Sequence, residues 1–248
     1  MIRDEAEILR SANEARKIIL SPAEVKRYLN PPADTAFPLE YAFHLLGDIR
    51  GKQVLDLGCG TGEKTVTLVK RGARVIGIDI SPDLICLARE RMRRQCIEAD
   101  LRVGSAYQTE LLDGSADVIF CMSLIHHLDI STAMAEMGRL LKPNGFIVMK
   151  EPIRFSSAYA RMRSFLPTAG DISEYEHPLT TEEFAEVQKD FHVSGLRYFR
   201  LPFVPIAQRY LHVKPKSVFK LSNIMLRRSP YLEHFATIAV MKLEMLPS

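Results

Sequence analysis

A glycine-rich turn after a short apolar strand constrains the fold of this chain more than any other feature. Residues 53–62 read Gln-Val-Leu-Asp-Leu-Gly-Cys-Gly-Thr-Gly, and a helix is predicted to begin at about Glu63. Gly58, Gly60 and Gly62 are needed because the backbone must adopt unusual dihedral angles and let a ligand approach closely. In open α/β sheets such a turn lies at the carboxyl ends of the strands, where ligands bind. The sequence therefore predicts a parallel α/β sheet with its site at this edge.

The charges around this turn argue against a phosphate ligand. The dinucleotide fingerprint is Gly-x-Gly-x-x-Gly, whereas the third glycine here is Gly62 and the next residue is Glu63. A pyrophosphate at the helix N-terminus would meet Glu63, and Asp56 adds a second anion just before the glycines. The pattern Asp-x-Gly-x-Gly-x-Gly resembles motif I of the class I S-adenosylmethionine-dependent methyltransferases. Their cofactor carries an ammonium and a sulfonium and no phosphate.

The resemblance continues in the next strand and helix. Residues 73–79 are apolar and β-branched, as a buried parallel strand should be. The strand ends at Asp79, about 20 residues after the first glycine, the spacing at which an acid reaches a ribose hydroxyl pair. Ile80 follows and is predicted to pack on an adenine face. Ser81 and Pro82 read as an N-cap and first residue of a helix that runs to about residue 94.

Three further segments match later motifs of the family. Residues 101–106 resemble the third motif, in which Ser105 replaces the usual Asp that contacts the adenine amino group. A hydroxyl still accepts a hydrogen bond from an amine, and the backbone of Ala106 is the alternative contact. Residues 114–122 match the fourth strand, and residues 140–149 match the turn into strand five. Asn144 replaces a glycine of that turn, and asparagine tolerates a left-handed conformation.

The resemblance spans roughly residues 50–152 and implies a set of cofactor contacts. Asp79 would bond both ribose hydroxyls, the Gly58–Gly60 backbone would lie against the methionine part, and Asp56 would lie near the ammonium. In the N-terminal region Arg27 and Tyr28 are candidates for the methionine carboxylate, since arginine binds carboxylates bidentately; they are equally well explained as helix-surface residues. The predicted cofactor-binding residues are Asp56, Gly58, Cys59, Gly60, Asp79, Ile80, Ser105, Ala106, Met122 and Tyr28.

Three residues near the ends of strands four and five are candidate catalytic groups. His126 and His127 follow strand four, at the edge where the methyl group should point, and a histidine can take a proton near neutral pH. His127 is slightly favoured, although a His-His-Leu sequence at this place also serves packing or capping in related enzymes. Glu151 closes strand five as a second candidate base, or as a structural acid at the rim.

The predicted architecture is a Rossmann-like α/β fold with a seven-stranded sheet of order 3-2-1-4-5-7-6. Strand seven is antiparallel, and helices cover both faces. We expect a single domain over residues 1–248, with a helical cap at 1–50, a cofactor-binding core at 51–152, and lid insertions at 153–179 and 201–232. The cap is predicted to contain an amphipathic helix over residues 3–20 and a second helix through about Leu29.

Composition and cysteine usage narrow the class of protein. The chain has 248 residues and a formal net charge of +3, which suits one globular domain. No apolar run is long enough to predict a membrane span, and the N-terminus is too charged for a signal peptide. Cys59, Cys86, Cys96 and Cys121 lack metal-site spacing, so we expect reduced thiols, no metal, and a cytoplasmic location.

Three classes of function fit these observations. The first is a methyltransferase that uses S-adenosylmethionine to methylate an oxygen, nitrogen or carbon of a small molecule. The second is an RNA or lipid methyltransferase that uses residues 191–232, a basic segment without Asp or Glu. A nucleic-acid partner is disfavoured, because nucleic-acid-binding domains are usually far more basic. The third is a cofactor-binding protein that no longer methylates. The sequence leaves the oligomeric state open, a homodimer included.

Overall fold

The computed structural model describes residues 2–156, 177–204, 207 and 214–246. Over these residues one sheet has the order β3-β2-β1-β4-β5-β7-β6. β1 to β5 are parallel, and β7 is antiparallel to both of its neighbours, β5 and β6. The predicted order and the antiparallel last strand are therefore confirmed. The strands are β1 Gln53–Leu57, β2 Arg74–Asp79, β3 Asp100–Val103, β4 Ala116–Met122, β5 Leu141–Pro152, β6 Phe191–Phe199 and β7 Ile238–Met245.

Helices cover both faces of this sheet, because neighbouring residues of each central strand point in opposite directions. Leu55 and Met149 belong to an apolar cluster that α6 and α7 cover, whereas Val54 and Val148 belong to a second cluster beneath α3. Strands buried on both faces are expected for a parallel sheet. The described helices are α1 Ile2–Ala15, α2 Lys26–Leu29, α3 Pro38–Leu45, α4 Glu63–Lys70, α5 Pro82–Gln95, α6 Ile130–Leu140, α7 Thr181–Gln188 and α8 Pro215–Arg228.

Local signals for the ends of elements were predicted correctly in the core. The Ser81 hydroxyl accepts a hydrogen bond from the Leu84 amide at 3.3 Å, and Pro82 opens α5. Thr180 forms a capping box with Glu183 at the start of α7. Asn144 has φ 64°, the left-handed conformation expected where it replaces a glycine. Capping and turn chemistry are local, so the sequence alone reveals them.

The segments outside the core differ more from the prediction. α1 ends at Ala15, although the apolar pattern predicted a helix to residue 20, and the second helix is shortened to α2. α3 was not predicted at all. β7 begins at Ile238, after a 3₁₀ helix over residues 230–235 that opens with a proline. The lid helix predicted within residues 153–179 falls mostly on residues 157–176, outside the described residues.

The described residues contain neither a candidate membrane span nor a cluster suited to a metal ion. No helix in the described ranges has both the length and the apolar character needed to cross a membrane. No cluster of His, Cys, Asp or Glu within the same ranges has the arrangement of a metal site. All four cysteines are free thiols, with Cys59 and Cys121 buried in the core.

Candidate active site

A cavity opens at the carboxyl edge of the sheet, beside the turns that follow β1, β2, β3 and β4, and α1 closes one side of it. This is the position at which open α/β folds bind ligands. Some of the residues predicted to bind the cofactor or to act in catalysis line this cavity, and others do not. The predicted residues that line it are Gly58, Asp79, Ile80, Ser105, Ala106 and His127.

The glycine turn between β1 and α4 forms the floor of this cavity. Gly58 has φ 71°, and the amides of Gly58 and Cys59 donate to the carbonyl oxygen of Ile78 at 2.8 and 3.0 Å. A Cβ atom on Gly58 would lie 3.1 Å from the side chain of Leu124. A larger residue would therefore be strained in its backbone and crowded against the turn after β4.

Asp79 presents its carboxylate to the cavity from the end of β2. Its Oδ2 atom accepts a hydrogen bond from the Gly60 amide at 2.8 Å, and its Oδ1 atom accepts one from the Ser81 amide at 3.0 Å. Burial raises the pKa of this carboxyl, and the two amide donors oppose the rise. Each carboxylate oxygen can accept a further bond, so Asp79 can receive two adjacent hydroxyl groups.

Asp56 lies beneath the glycine turn and does not line the cavity. Its side chain is 1% exposed and accepts a 2.6 Å hydrogen bond from the Thr65 hydroxyl on α4. Burial raises the pKa of Asp56 to about 6. The acid thus joins β1 to α4, and its expected position near the ammonium of the cofactor stays a prediction.

Other predicted contacts also lie away from the cavity wall. Cys59 is buried beside Gly77, and Met122 packs in the apolar cluster beneath α3. Gly60 does not line the cavity, but its backbone amide donates a hydrogen bond to Asp79. Tyr28 packs on Phe43, with ring centroids 5.0 Å apart. The neighbouring Arg27 donates two hydrogen bonds to Glu40, at 2.9 and 2.7 Å, so neither of these two residues reaches the cavity.

His126 and Glu151 form a buried pair beside the cavity and do not line it. The Nδ1 atom of His126 lies 2.7 Å from Oε2 of Glu151, whose side chain is fully buried. The other oxygen, Oε1, accepts hydrogen bonds from the amides of Leu124 and Ile125 at 2.9 and 3.1 Å. This arrangement fixes the turn after β4 and places neither side chain at the cavity wall, so contact of either residue with the substrate stays a prediction.

His127 is the candidate base that the structure places at the cavity wall. Its Nδ1 atom lies 3.8 Å from Oε2 of Glu7 on α1, and its ring centroid lies 4.0 Å from that of His126. The imidazole is therefore held between the fixed His126–Glu151 pair and a carboxylate of the N-terminal helix.

Several lining residues were not predicted. α1 contributes Glu7, Arg10 and Ser11, and Arg10 pairs with Glu7 at 2.7 Å. The helix was predicted from the spacing of its apolar residues. In the structure, however, Leu9 is 66% exposed, and polar residues of the helix line the cavity. Ser123, after β4, also lines the wall. Its φ of 59° is unusual for serine, but the sequence carries no signal that reveals it.

The matched region coincides with the part of the fold that builds this cavity. Residues 55–149 match the family described as "Methyltransferase domain". These residues hold the glycine turn, Asp79 and the turn that contains His127. The core of this chain, residues 55–149, is therefore similar to a methyltransferase domain.

Curated relatives and a solved structure agree with this assignment. The chain is 35% identical over 119 residues to a ubiquinone biosynthesis O-methyltransferase of Xanthomonas oryzae pv. oryzae (strain PXO99A), covering 46% of this chain and 48% of that protein. It is 34% identical over 147 residues to a demethylmenaquinone methyltransferase of Tropheryma whipplei (strain Twist), covering 55% and 61%. The chain thus spans about half of these relatives' lengths.

The fold is shared over nearly the whole chain with one solved enzyme. Geranyl diphosphate C-methyltransferase from Streptomyces coelicolor A3(2) superposes with a TM-score of 0.66 at 15% identity, and 99% of each chain is covered. At this level of identity the likeness is one of fold.

Proposed function

We propose that this protein transfers a methyl group from S-adenosylmethionine to a small-molecule acceptor. The observation that carries the proposal is Asp79. Its carboxylate lines the cavity, is fixed by the Gly60 and Ser81 amides, and has capacity for two more hydrogen bonds. The named methyltransferase relatives support the same reaction class.

The lining of the cavity suits each part of this cofactor. Asp79 would hold the ribose hydroxyls, and Ile80 and Leu84 supply apolar surface for an adenine ring. Ser105 and Ala106 would present polar groups to the edge of the base. The carboxylates of Asp79 and Glu7 favour a cationic ligand over a phosphate. When bound, S-adenosylmethionine supplies an electrophilic methyl group on a sulfonium.

The contribution of the protein is mainly to position the donor and the acceptor. Methyl transfer is an in-line displacement, so a fixed geometry lowers the barrier without extensive acid–base chemistry. The turn after β4 is fixed by the His126–Glu151 pair, and α1 closes the side of the cavity through Glu7, Arg10 and Ser11. Both features limit motion of the bound molecules and the access of water.

We propose His127 as the base for a hydroxyl acceptor. Its ring lines the cavity and lies close to Glu7, which stabilises the imidazolium that forms when His127 takes the proton. His126 is less suited to this role because its Nδ1 atom is committed to Glu151 and its side chain is buried.

One basic residue of the 191–232 segment has a structural role. The Arg197 guanidinium donates hydrogen bonds to the Ala33 carbonyl at 2.8 Å and to Asn223, and it stacks over Tyr41 and Phe199. This arrangement joins β6 to α8 and to the cap region. It weakens the argument that the whole segment serves RNA or lipid binding.

The experiment that tests the function has two stages. Calorimetry first measures the binding of S-adenosylhomocysteine to the purified chain, which we expect to be saturable. An assay for S-adenosylhomocysteine production over a panel of phenols, quinols, amines and isoprenoids then identifies an acceptor. If S-adenosylhomocysteine does not bind, the assignment of S-adenosylmethionine as the cofactor is wrong. Binding without turnover over the whole panel would favour the cofactor-binding protein that does not methylate.

A further inference from the structure

Ser123 and Lys150 form a polar pair at the carboxyl ends of β4 and β5 that the reaction proposed above does not use. The Lys150 ammonium donates a hydrogen bond to the Ser123 hydroxyl, and the Ser123 amide donates to the Lys150 carbonyl at 2.7 Å. Lys150 is partly buried and pairs with Met122 in the β4–β5 register. Ser123 lines the cavity, so the lysine lies directly behind its wall.

The direction of these hydrogen bonds determines what the pair can bind. An ammonium group only donates, so the Ser123 oxygen must accept from Lys150, and the serine proton is available to another acceptor. Hydrogen bonds to charged groups are also stronger than neutral ones. The Ser123 hydroxyl at the wall can therefore donate to a ligand in the cavity while the Lys150 ammonium behind it supplies positive charge, an arrangement that suits a negatively charged oxygen.

Both positive and negative charges surround Lys150. Burial lowers the pKa of Lys150, and repulsion from Lys64 and Arg200 lowers it further, whereas Glu151 on the opposite face of β5 opposes the change. Among the described residues Lys150 has no carboxylate hydrogen-bond partner. An ammonium in this environment is stabilised when an anion binds beside it, because a buried charge is costly without a partner.

We propose that Ser123 and Lys150 form an anion subsite for the acceptor, which places a carboxylate or phosphate group of that molecule beside the transfer point. The inference rests on the proposed function and narrows it to acceptors that carry a negative charge. Ser123 has a left-handed φ of 59°, and such strained backbone is often found at functional sites.

The test uses the S-adenosylhomocysteine complex of the whole chain. Inorganic phosphate and benzoate are titrated separately into wild type, Lys150→Met, Ser123→Ala and a control, Lys142→Met. Lys142 lies at the opposite end of β5, where it pairs with Asp117 at 2.9 Å. We expect saturable binding of at least one anion to wild type. It should weaken about tenfold or more in Lys150→Met, and several-fold in Ser123→Ala, with no change in the control.

A second titration distinguishes the acceptor from the cofactor as the source of the anion. Affinity for S-adenosylhomocysteine is compared with affinity for its decarboxylated analogue in wild type and Lys150→Met. Equal affinities in the two proteins for each ligand support an acceptor subsite. If Lys150→Met weakens only the carboxylate-bearing ligand, Lys150 binds the cofactor and the proposal is overturned. It is also overturned if wild type binds S-adenosylhomocysteine but neither anion. If wild type does not bind S-adenosylhomocysteine, the result contradicts the proposed function itself, and the subsite that rests on it is overturned as well.

Discussion

The backbone amide of Gly60 donates a 2.8 Å hydrogen bond to Oδ2 of Asp79, so the turn after β1 and the acid that ends β2 form one unit. The two residues are far apart in sequence, but the strands that lead to them, β1 and β2, are neighbours in the sheet. A change at either one should therefore alter the same binding surface.

Replacing Asp79 with alanine should weaken binding of S-adenosylhomocysteine by roughly 1.5–3 kcal/mol, the scale of hydrogen bonds to a charged group. The variant loses two potential acceptors for ribose hydroxyls and also frees the Gly60 amide. Calorimetry gives the affinity directly. The matched control is Asp83→Ala, which removes an exposed acid four residues later on α5. Unchanged affinity in Asp79→Ala would refute the ribose assignment.

Replacing Glu151 with alanine should destabilise the fold, because three hydrogen-bonding groups lose their buried acceptor. We expect a loss of about 3 kcal/mol or more in the free energy of unfolding, measured by urea denaturation. Glu182→Ala, at an exposed position in the first turn of α7, should cost far less. A stable Glu151→Ala protein with a large loss of turnover would instead restore Glu151 as a catalytic residue.

Replacing His127 with glutamine should reduce turnover of a hydroxyl acceptor by about 10²–10⁴-fold, the range typical of general-base catalysis. Affinity for S-adenosylhomocysteine should stay near that of wild type. The control is His192→Gln, a change at an exposed histidine of β6. Wild-type rates in His127→Gln would show that the imidazole only packs against the turn.

Asp56 should make stability depend on pH in a predictable direction. Its folded-state pKa of about 6 exceeds the unfolded value of 3.8, so the folded state binds the proton more tightly. Its stabilising contribution is present below the unfolded pKa and is lost as the pH rises through the folded pKa. The difference in unfolding free energy, wild type minus Asp56→Asn, should thus fall by roughly 1–3 kcal/mol between about pH 4 and pH 7. A pH-independent difference would contradict this.

Reversing the charges of Lys214, Lys216 and Lys220 should leave small-molecule turnover unchanged. These side chains are exposed at or near the start of α8. Filter binding to a mixed RNA at physiological ionic strength should show weak affinity in wild type and in the variant. Tight binding that falls steeply with salt, and disappears in the variant, would instead support the RNA methyltransferase.

The core of the fold was predictable because its signals are local. The glycine turn, Ser81 and Thr180 each specify a bend or cap through their own chemistry, and the apolar strands between them must stack in a parallel sheet. α3 opens with Pro38 and has Glu40 in its first turn, start signals that the prediction overlooked, whereas α2 is four residues long and has no side-chain cap. The docking of these helices depends on tertiary contacts such as that between Tyr28 and Phe43.

The site was predictable only in part, because a sequence does not state which face of a strand end receives a ligand. Asp79 was assigned to the cavity correctly. Asp56 and Glu151 looked equally suitable as acids at strand ends, yet both are buried against neighbouring elements. Ser123 and Glu7 were missed because one depends on a left-handed turn and the other on the docking of α1.

The position of β7 constrains how the protein is made as well as how it folds. β7 follows β6 in the chain but lies between β5 and β6, so β6 reaches the sheet only through its pairing with β7. While the ribosome is still synthesising residues 238–245, the nascent protein holds β6 without its partner and β5 with an open edge. Unpaired strand edges of this kind are prone to aggregate and are the kind of surface that chaperones protect.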